Sequence, residues 1–292
     1  MTPRRIGRRE FDFDRQVAVM AVINRTPDSF HDHGSTFALD AAVAAALTAV
    51  DAGADWVDIG GVPFGRGPVV TIDEEIARVV PVVEAITAAS DVVVSVDTNA
   101  SEVARAAIAA GASVINDTSG LGDAAMAGVV AASDAQLVIT HSIGPPRTEK
   151  PAARYDHVVA EVIAFLRERV DRAEAAGIPR ERLIVDPGHD LDKNTLHSLE
   201  LTRRFDELGV LGLPLLAAVS NKDFIGESID AVQGARLEGS LAAMVVCILK
   251  GARIVRMHDV KASVDAVRMT EAILGFREPV RLEHNTHPTR NV

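Results

Sequence analysis

The chain has 292 residues, a mass of 31.0 kDa and a formal net charge of −11, from 30 Lys+Arg against 41 Asp+Glu. Apolar residues make up 48 % and charged residues 24 %, too apolar for a disordered chain, and the acidic balance argues against a broad nucleic-acid surface. A single cysteine excludes a disulfide framework, and no Cys/His spacing offers a structural zinc site.

The first sixteen residues carry Arg4, Arg5, Arg8 and Arg9, then Asp12, Asp14 and Arg15. They contain no signal-peptide core and read as a solvated, frayed extension, with the protein expected in the cytoplasm. From Val17 onward, short β-branched runs alternate with long Ala-rich stretches of helical period. The predicted strands are Val17–Ile23, Trp56–Ile59, Val92–Val96, Ser113–Ile115, Leu137–Thr140, Leu183–Val185, Leu215–Val219 and Arg253–Met257. Helices predicted between them include Ala38–Ala52, Ile72–Ala89, Ser101–Ala110, Asp156–Ala176 and Leu237–Leu249. Three junctions, Ala52-Gly53-Ala54, Ala110-Gly111-Ala112 and Lys250-Gly251-Ala252, put a glycine just past a helix, where a left-handed cap requires one. Eight strands separated by helices, with no Pro/Gly/Ser linker, fit one α/β domain: a (β/α)8 TIM barrel over residues 17–275, with a tail over 276–292. Every apolar run is too short to span a membrane.

Polar residues stand where these strands end: Asn24, Asp58, Asp97, Asn116, His141, Asp186, Ser220, and Arg256 with His258 and Asp259. One such residue is ordinarily a helix cap, but eight strand ends together mark the carboxyl rim of a barrel as a binding site. Asp97, Asn116 and Asp186 supply acceptors, and Lys222 a cation, a set suited to a flat heterocycle with amide and amino groups along one edge. The competing reading, a divalent metal held by the acids, ranks lower because no close ligand spacing joins them. Asn24, Arg256 and His258 belong to the first and last strands, neighbours in a closed barrel. They suit a phosphate or pyrophosphate, with magnesium supported by substrate oxygens. A structural ion pair of Arg256 with Asp259 is the alternative.

Asn24-Arg25-Thr26-Pro27-Asp28-Ser29-Phe30 resembles the opening signature of the dihydropteroate synthases. The resemblance continues in order through Asp58-Ile59-Gly60-Gly61, Val96-Asp97-Thr98, Ile115-Asn116-Asp117, Asp186-Pro187-Gly188, Ser220-Asn221-Lys222-Asp223-Phe224-Ile225-Gly226 and Arg256-Met257-His258-Asp259-Val260. It implies a pterin-binding barrel that joins a dihydropterin methyl diphosphate to p-aminobenzoate, releasing pyrophosphate for folate synthesis. By the same resemblance, Asp97, Asn116, Asp186 and Lys222 hold the pterin ring, with Lys222 and Asp97 catalytic. Asn24, Arg256 and His258 hold the diphosphate, Mg²⁺ lies near Asn24, and Ser220 lies near the aminobenzoate. The resemblance further implies that the loop Thr26 to Gly34 closes over the site and that the chain forms a homodimer.

The match departs from the family in the same rim. Val62-Pro63-Phe64-Gly65-Arg66-Gly67-Pro68 stands where Glu-Ser-Thr-Arg-Pro is usual, with Arg66 displaced. His189-Asp190-Leu191-Asp192-Lys193 replaces Ile-Gly-Phe-Gly-Lys, which brings a carboxylate that could crowd the ring to position 190 and loses aromatic stacking at Leu191. Asn221 replaces an arginine, and Arg25, His31 and His33 replace the commoner Val, Ser and Gly. Three functions follow: a working synthase, a divergent paralogue that keeps the pterin-like pocket with weak or no synthase activity, and, last, a methyltetrahydrofolate-binding methyltransferase domain. Cys247 and Trp56 read as core, His157 and His197 as surface, and Glu74-Glu75 and Arg167-Glu168-Arg169 as solvated helix faces.

Overall fold

A computed structural model describes residues 2–25, 38–63, 69–144 and 154–285. Arg66, His31, His33 and the whole loop from Thr26 to Gly34 lie outside the described residues. Eight parallel strands close into a barrel: β3 (Ala18–Asn24), β4 (Trp56–Gly60), β5 (Val93–Asp97), β6 (Val114–Asp117), β7 (Gln136–Thr140), β8 (Leu183–Asp186), β9 (Leu215–Ala217) and β10 (Ala252–Met257), with β10 pairing back onto β3. β1 (Arg4–Ile6) and β2 (Arg9–Phe11) form a separate antiparallel hairpin. The helices are α1 (Leu39–Asp51), α2 (Ile72–Ala89), α3 (Ser101–Ala109), α4 (Met126–Ala131), α5 (Val158–Ala175), α6 (Thr195–Arg203), α7 (Asp223–Ile229), α8 (Leu237–Leu249) and α9 (Val260–Ile273). The expected (β/α)8 barrel is therefore present. The junction glycines Gly53, Gly111 and Gly251 have φ of 99°, 112° and 106°, the left-handed caps that the repeated junctions predict.

Successive side chains along a strand alternate between its two faces. Outward residues such as Val19, Ala21, Ile59, Val94, Val96, Ile139 and Val185 are buried beneath the helices. Inward residues begin as an apolar layer at the base: Met20, Trp56, Val93, Val114, Val138, Ile184, Leu216 and Ile254. Two residues further along most of these strands, the inward position becomes polar: Asp58, Ser95, Asn116, Thr140, Asp186 and Arg256. The same alternation thus builds the base of the barrel and hands polar groups to its mouth. Register keeps the mouth level, since Asn24 pairs with Gly60, Gly60 with Asp97, and Asp97 with Asn116.

The amino-terminal segment is not frayed. Ile6, Phe11 and Phe13 are fully buried and join the inner apolar layer, closing the barrel at its base. Phe11 stacks on Phe13 and meets Trp56 edge-on, both at 5.7 Å between ring centroids. The arginines that suggest a solvated arm have partners in the barrel: Arg9 donates to the Asp55 carboxylate (2.8 Å) and carbonyl (3.0 Å), and Arg4 to the Leu183 carbonyl (2.9 Å). A hairpin whose apolar residues can fill the open end of a barrel outcompetes a solvated chain, because its three aromatic and aliphatic side chains leave water. Glu75 also departs from expectation. It lies on the face of α2 turned to the rim and is buried, not solvated, and burial raises the pKa of its carboxyl. Cys247 and Trp56 are core, as expected, and His157 is exposed. No helix among the described residues is long and apolar enough to cross a membrane.

Candidate active site

Asp58 is the centre of the mouth. Its carboxylate, fully buried, accepts hydrogen bonds from Ser95 Oγ (2.6 Å), Asn116 Nδ2 (3.0 Å) and Arg256 Nε (2.6 Å). Arg256 reaches across to Asp97 with Nη2 (3.2 Å), and Thr118 Oγ1 donates to the other Asp97 oxygen (3.2 Å). Arg256 is therefore paired, but with Asp58 and Asp97 and not with Asp259, which corrects the partner considered from the sequence. A guanidinium carries further N–H groups beyond these two bonds, so an anion can still be met. Asp58 thus joins Asp97, Asn116 and Arg256 into one network on four strands.

Burial dominates the electrostatics. It pushes the Asp97 carboxyl up to about 7, with Arg256 opposing and Asp58 adding to the rise. Asp186 is raised to about 6, again by burial, against a hydrogen bond from the Gly188 amide at 2.7 Å. Gly188 has φ of 68°, and a Cβ there would lie 2.2 Å from the His141 carbonyl oxygen, so only glycine allows this turn. Lys222, at the residue before α7, is lowered by burial, while Asp190, Asp186 and Asp97 favour its charged form and Arg256 opposes it. Ser220 Oγ accepts from the His258 amide at 3.1 Å and lies 3.0 Å from His258 Nδ1, joining the loop after β9 to the end of β10. Asn24 ends β3 beside Gly60, where an added Cβ would meet Asn24 Oδ1 at 3.6 Å and Asp97 Cβ at 4.0 Å. All eight residues singled out from the sequence therefore lie at the carboxyl end of the barrel or in the loop that follows it.

Sequence reasoning finds Asp58 and His141 at the rim but misses their partners. Asp58 stands in the polar series, but its three partners are separated from it by 37, 58 and 198 residues. Ser95 and Thr118 carry no motif, although Ser95 falls on the inward period of β5. Lys193 and His141 form a buried pair: Lys193 Nζ lies 2.8 Å from His141 Nδ1 and donates to the Gly188 and Leu191 carbonyls, both at 2.9 Å. Burial pushes Lys193 down to about 7 and His141 down to about 3.

In the altered loop after β8 both new carboxylates have partners within the protein, and Asp190 also acts on the charge of Lys222. Asp190 Oδ1 accepts from Ser198 Oγ (2.9 Å) and Oδ2 from the Phe224 amide in the first turn of α7 (3.2 Å). Asp192 Oδ2 accepts from Ser142 Oγ (2.9 Å) and the Ile143 amide (2.7 Å). Both have left-handed backbones, φ 62° and 53°, at the two positions where the resembling family carries glycine. Asp tolerates that region through local hydrogen bonds, which explains how the backbone survives the replacements. Asn221 is likewise left-handed, φ 61°, with its amide bonded to Ser240 Oγ. Asp190, Lys193, Asp223, Phe224 and Glu227 line a cavity of about 430 Å³ beside this loop.

A closed barrel whose mouth gathers buried acids, an amide and cations from separate strands matches the pterin binding enzyme family over residues 20–258, and the chain belongs to that family. Its relatives are dihydropteroate synthases. It is 46 % identical to a Mycobacterium leprae protein named inactive dihydropteroate synthase 2, over 92 % of this chain and 94 % of that one. It is 40 % identical to the Escherichia coli dihydropteroate synthase, over 91 % and 94 % of the two chains. The Xanthomonas albilineans dihydropteroate synthase, solved in complex with 7,8-dihydropteroate, superposes with a TM-score of 0.79 at 38 % identity, covering 91 % of this chain and 96 % of that one.

Proposed function

We propose that this chain is a transferase of the dihydropteroate synthase type, joining 6-hydroxymethyl-7,8-dihydropterin diphosphate to p-aminobenzoate and releasing pyrophosphate. The observation that carries the reading is the ring of acceptors, Asp97 partly buried and Asn116 and Asp186 buried, with Lys222 beside them. Such a ring meets the amino and amide edge of a pterin, and Lys222 and Asp97 are the groups assigned to catalysis. Arg256, His258 and Asn24 take the diphosphate, and Ser220 lies on the aminobenzoate side. In the reaction the methylene C–O bond breaks, the diphosphate leaves with the bonding pair, the aromatic amine forms the new C–N bond, and its proton passes to water. Positive groups aimed at the departing oxygens act where negative charge develops, and binding of both partners in line supplies the orientation.

Among the described residues no group of three or more His, Cys, Asp or Glu could hold a metal. A Mg²⁺ ion would have the Asn24 side-chain oxygen and complete its shell with diphosphate oxygens and water, an ordinary arrangement for this ion. Bound there, it would neutralise charge on the diphosphate. A homodimer is supported by an apolar face on the last two helices, where Val246, Leu249, Met269 and Ile273 are exposed.

A second reading keeps the pterin pocket and loses the synthase reaction. It is favoured by carboxylates at 190 and 192 where the family has glycine, and by the name of the Mycobacterium leprae relative. Purified protein supplied with Mg²⁺, the pterin diphosphate and p-aminobenzoate should release pyrophosphate, and Lys222→Ala should abolish it. Folded protein that binds the pterin in a calorimeter yet releases no pyrophosphate selects the second reading.

A further inference from the structure

We infer that Asp58, which no ligand needs to touch, is a positioning residue that makes the pocket select an amino group over an oxo group on the pteridine ring. It does so by fixing which end of the Asn116 amide faces the mouth. The inference rests on the pterin reading above and specifies its substrate.

Asp58 Oδ2 is shared by two donors, Arg256 Nε and Asn116 Nδ2. A guanidinium only donates, so that oxygen is an acceptor, and the amide must present its NH₂ to it. The other Asp58 oxygen is taken by the Ser95 hydroxyl, which leaves the carboxylate no freedom to turn. Asn116 Oδ1 is consequently directed away from Asp58, and it is buried with no hydrogen-bond partner. Residue 116 as a whole is 2 % exposed, so its unmet carbonyl is an acceptor open to a ligand that enters the mouth. With the amide held this way, Asn116 adds an acceptor to the two carboxylates Asp97 and Asp186.

Three acceptors together recognise an edge made of N–H groups: a ring N–H beside an exocyclic amine, as in a 2-amino-4-oxopteridine. Turned over, the same amide would offer its NH₂ and favour a 2,4-dioxopteridine. Asp58→Asn should preserve the code, because the new amide keeps its oxygen towards Arg256 and Asn116 and can donate its NH₂ to Ser95 Oγ. Asp58→Val removes the acceptor and frees the Asn116 amide to turn.

Calorimetric titration of wild type, Asp58→Asn and Asp58→Val with 6-hydroxymethylpterin and with its 2,4-dioxo counterpart tests this. Wild type should prefer the amino compound by roughly tenfold or more, as expected where a buried group is otherwise left unpaired. Asp58→Asn should keep that ratio and Asp58→Val should erase it. A merely structural role for Asp58 would weaken both ligands alike, so an unchanged ratio in Asp58→Val overturns the inference. Equal binding of the two compounds by wild type overturns it as well, with pterin binding itself intact, whereas failure to bind either overturns the pterin reading first. If Asp58→Val does not fold, the Asn116 side-chain amide of wild type, identified by its loss in Asn116→Asp, decides. It should stay protected from exchange and show no contact to bound pterin, and a contact between its NH₂ and the ligand overturns the inference.

Discussion

Lys193 Nζ has three polar partners within 2.9 Å, two carbonyls and His141 Nδ1, and almost no water, so its amine carries the turn between β8 and α6. Removing it strands His141 Nδ1 and two carbonyls. Lys193→Met should therefore lower stability by roughly 1–3 kcal/mol, the cost of buried groups left unpaired, measured by urea unfolding. Because burial depresses the Lys193 pKa to about 7, its contribution to folding improves as pH rises above that value, and the variant should lose this part of the pH slope. Asp97 and Asp186 act in the opposite sense, with folded values of about 7 and about 6 against an ordinary 3.8. Their contribution to stability is fully present in acid and is lost as pH rises through those values. Ligand binding runs the other way, since a carboxyl that has taken up a proton surrenders an acceptor. Pterin affinity measured by calorimetry should fall between pH 8 and pH 6, and Asp97→Asn should bind more weakly with a flatter profile.

The barrel strands and the rim were legible because both follow from a period. Apolar runs at regular spacing announce the strands, glycines announce the helix ends, and one polar residue per strand end announces the mouth. The hairpin β1–β2 was not legible: each strand is three residues long, and four arginines outweigh the aromatic residues in any composition-based reading. Its meaning appears only when Phe11 is seen against Trp56, 45 positions away in the chain. Phe11→Ala should cost about 3–5 kcal/mol, as for a large buried ring removed from a packed core. Urea unfolding should show that loss, while the folded fraction keeps its pterin affinity because the ring packs at the opposite end from Asp97. The partners of Asp190 were illegible for a similar reason. A carboxylate replacing glycine looks obstructive in one dimension, but α6 and α7 offer it a hydroxyl and an amide, and it ties the two helices together.

At the scale of the whole molecule, two polar systems sit at opposite ends of one apolar layer. Arg9 and Asp55 secure the base, and Asp58, Asp97 and Arg256 organise the mouth, with Trp56 and its neighbours between them. The three positions 55, 56 and 58 on adjoining stretches of the same strand region therefore serve sealing, filling and recognition in turn. The exposed apolar side chains of α8 and α9, Val246, Leu249, Met269 and Ile273, belong to the outer helices and to neither end.

The plug carries a practical corollary. With Ile6, Phe11 and Phe13 wedged into the floor, the neighbouring Thr2 shares a cavity with Gln136 and Arg182, at the starts of β7 and β8 and so away from the opening. A biotin or affinity handle fused there anchors the protein to a sensor surface with its entrance pointing into solution, whereas attachment through lysines would include Lys222 among its targets and foul the doorway.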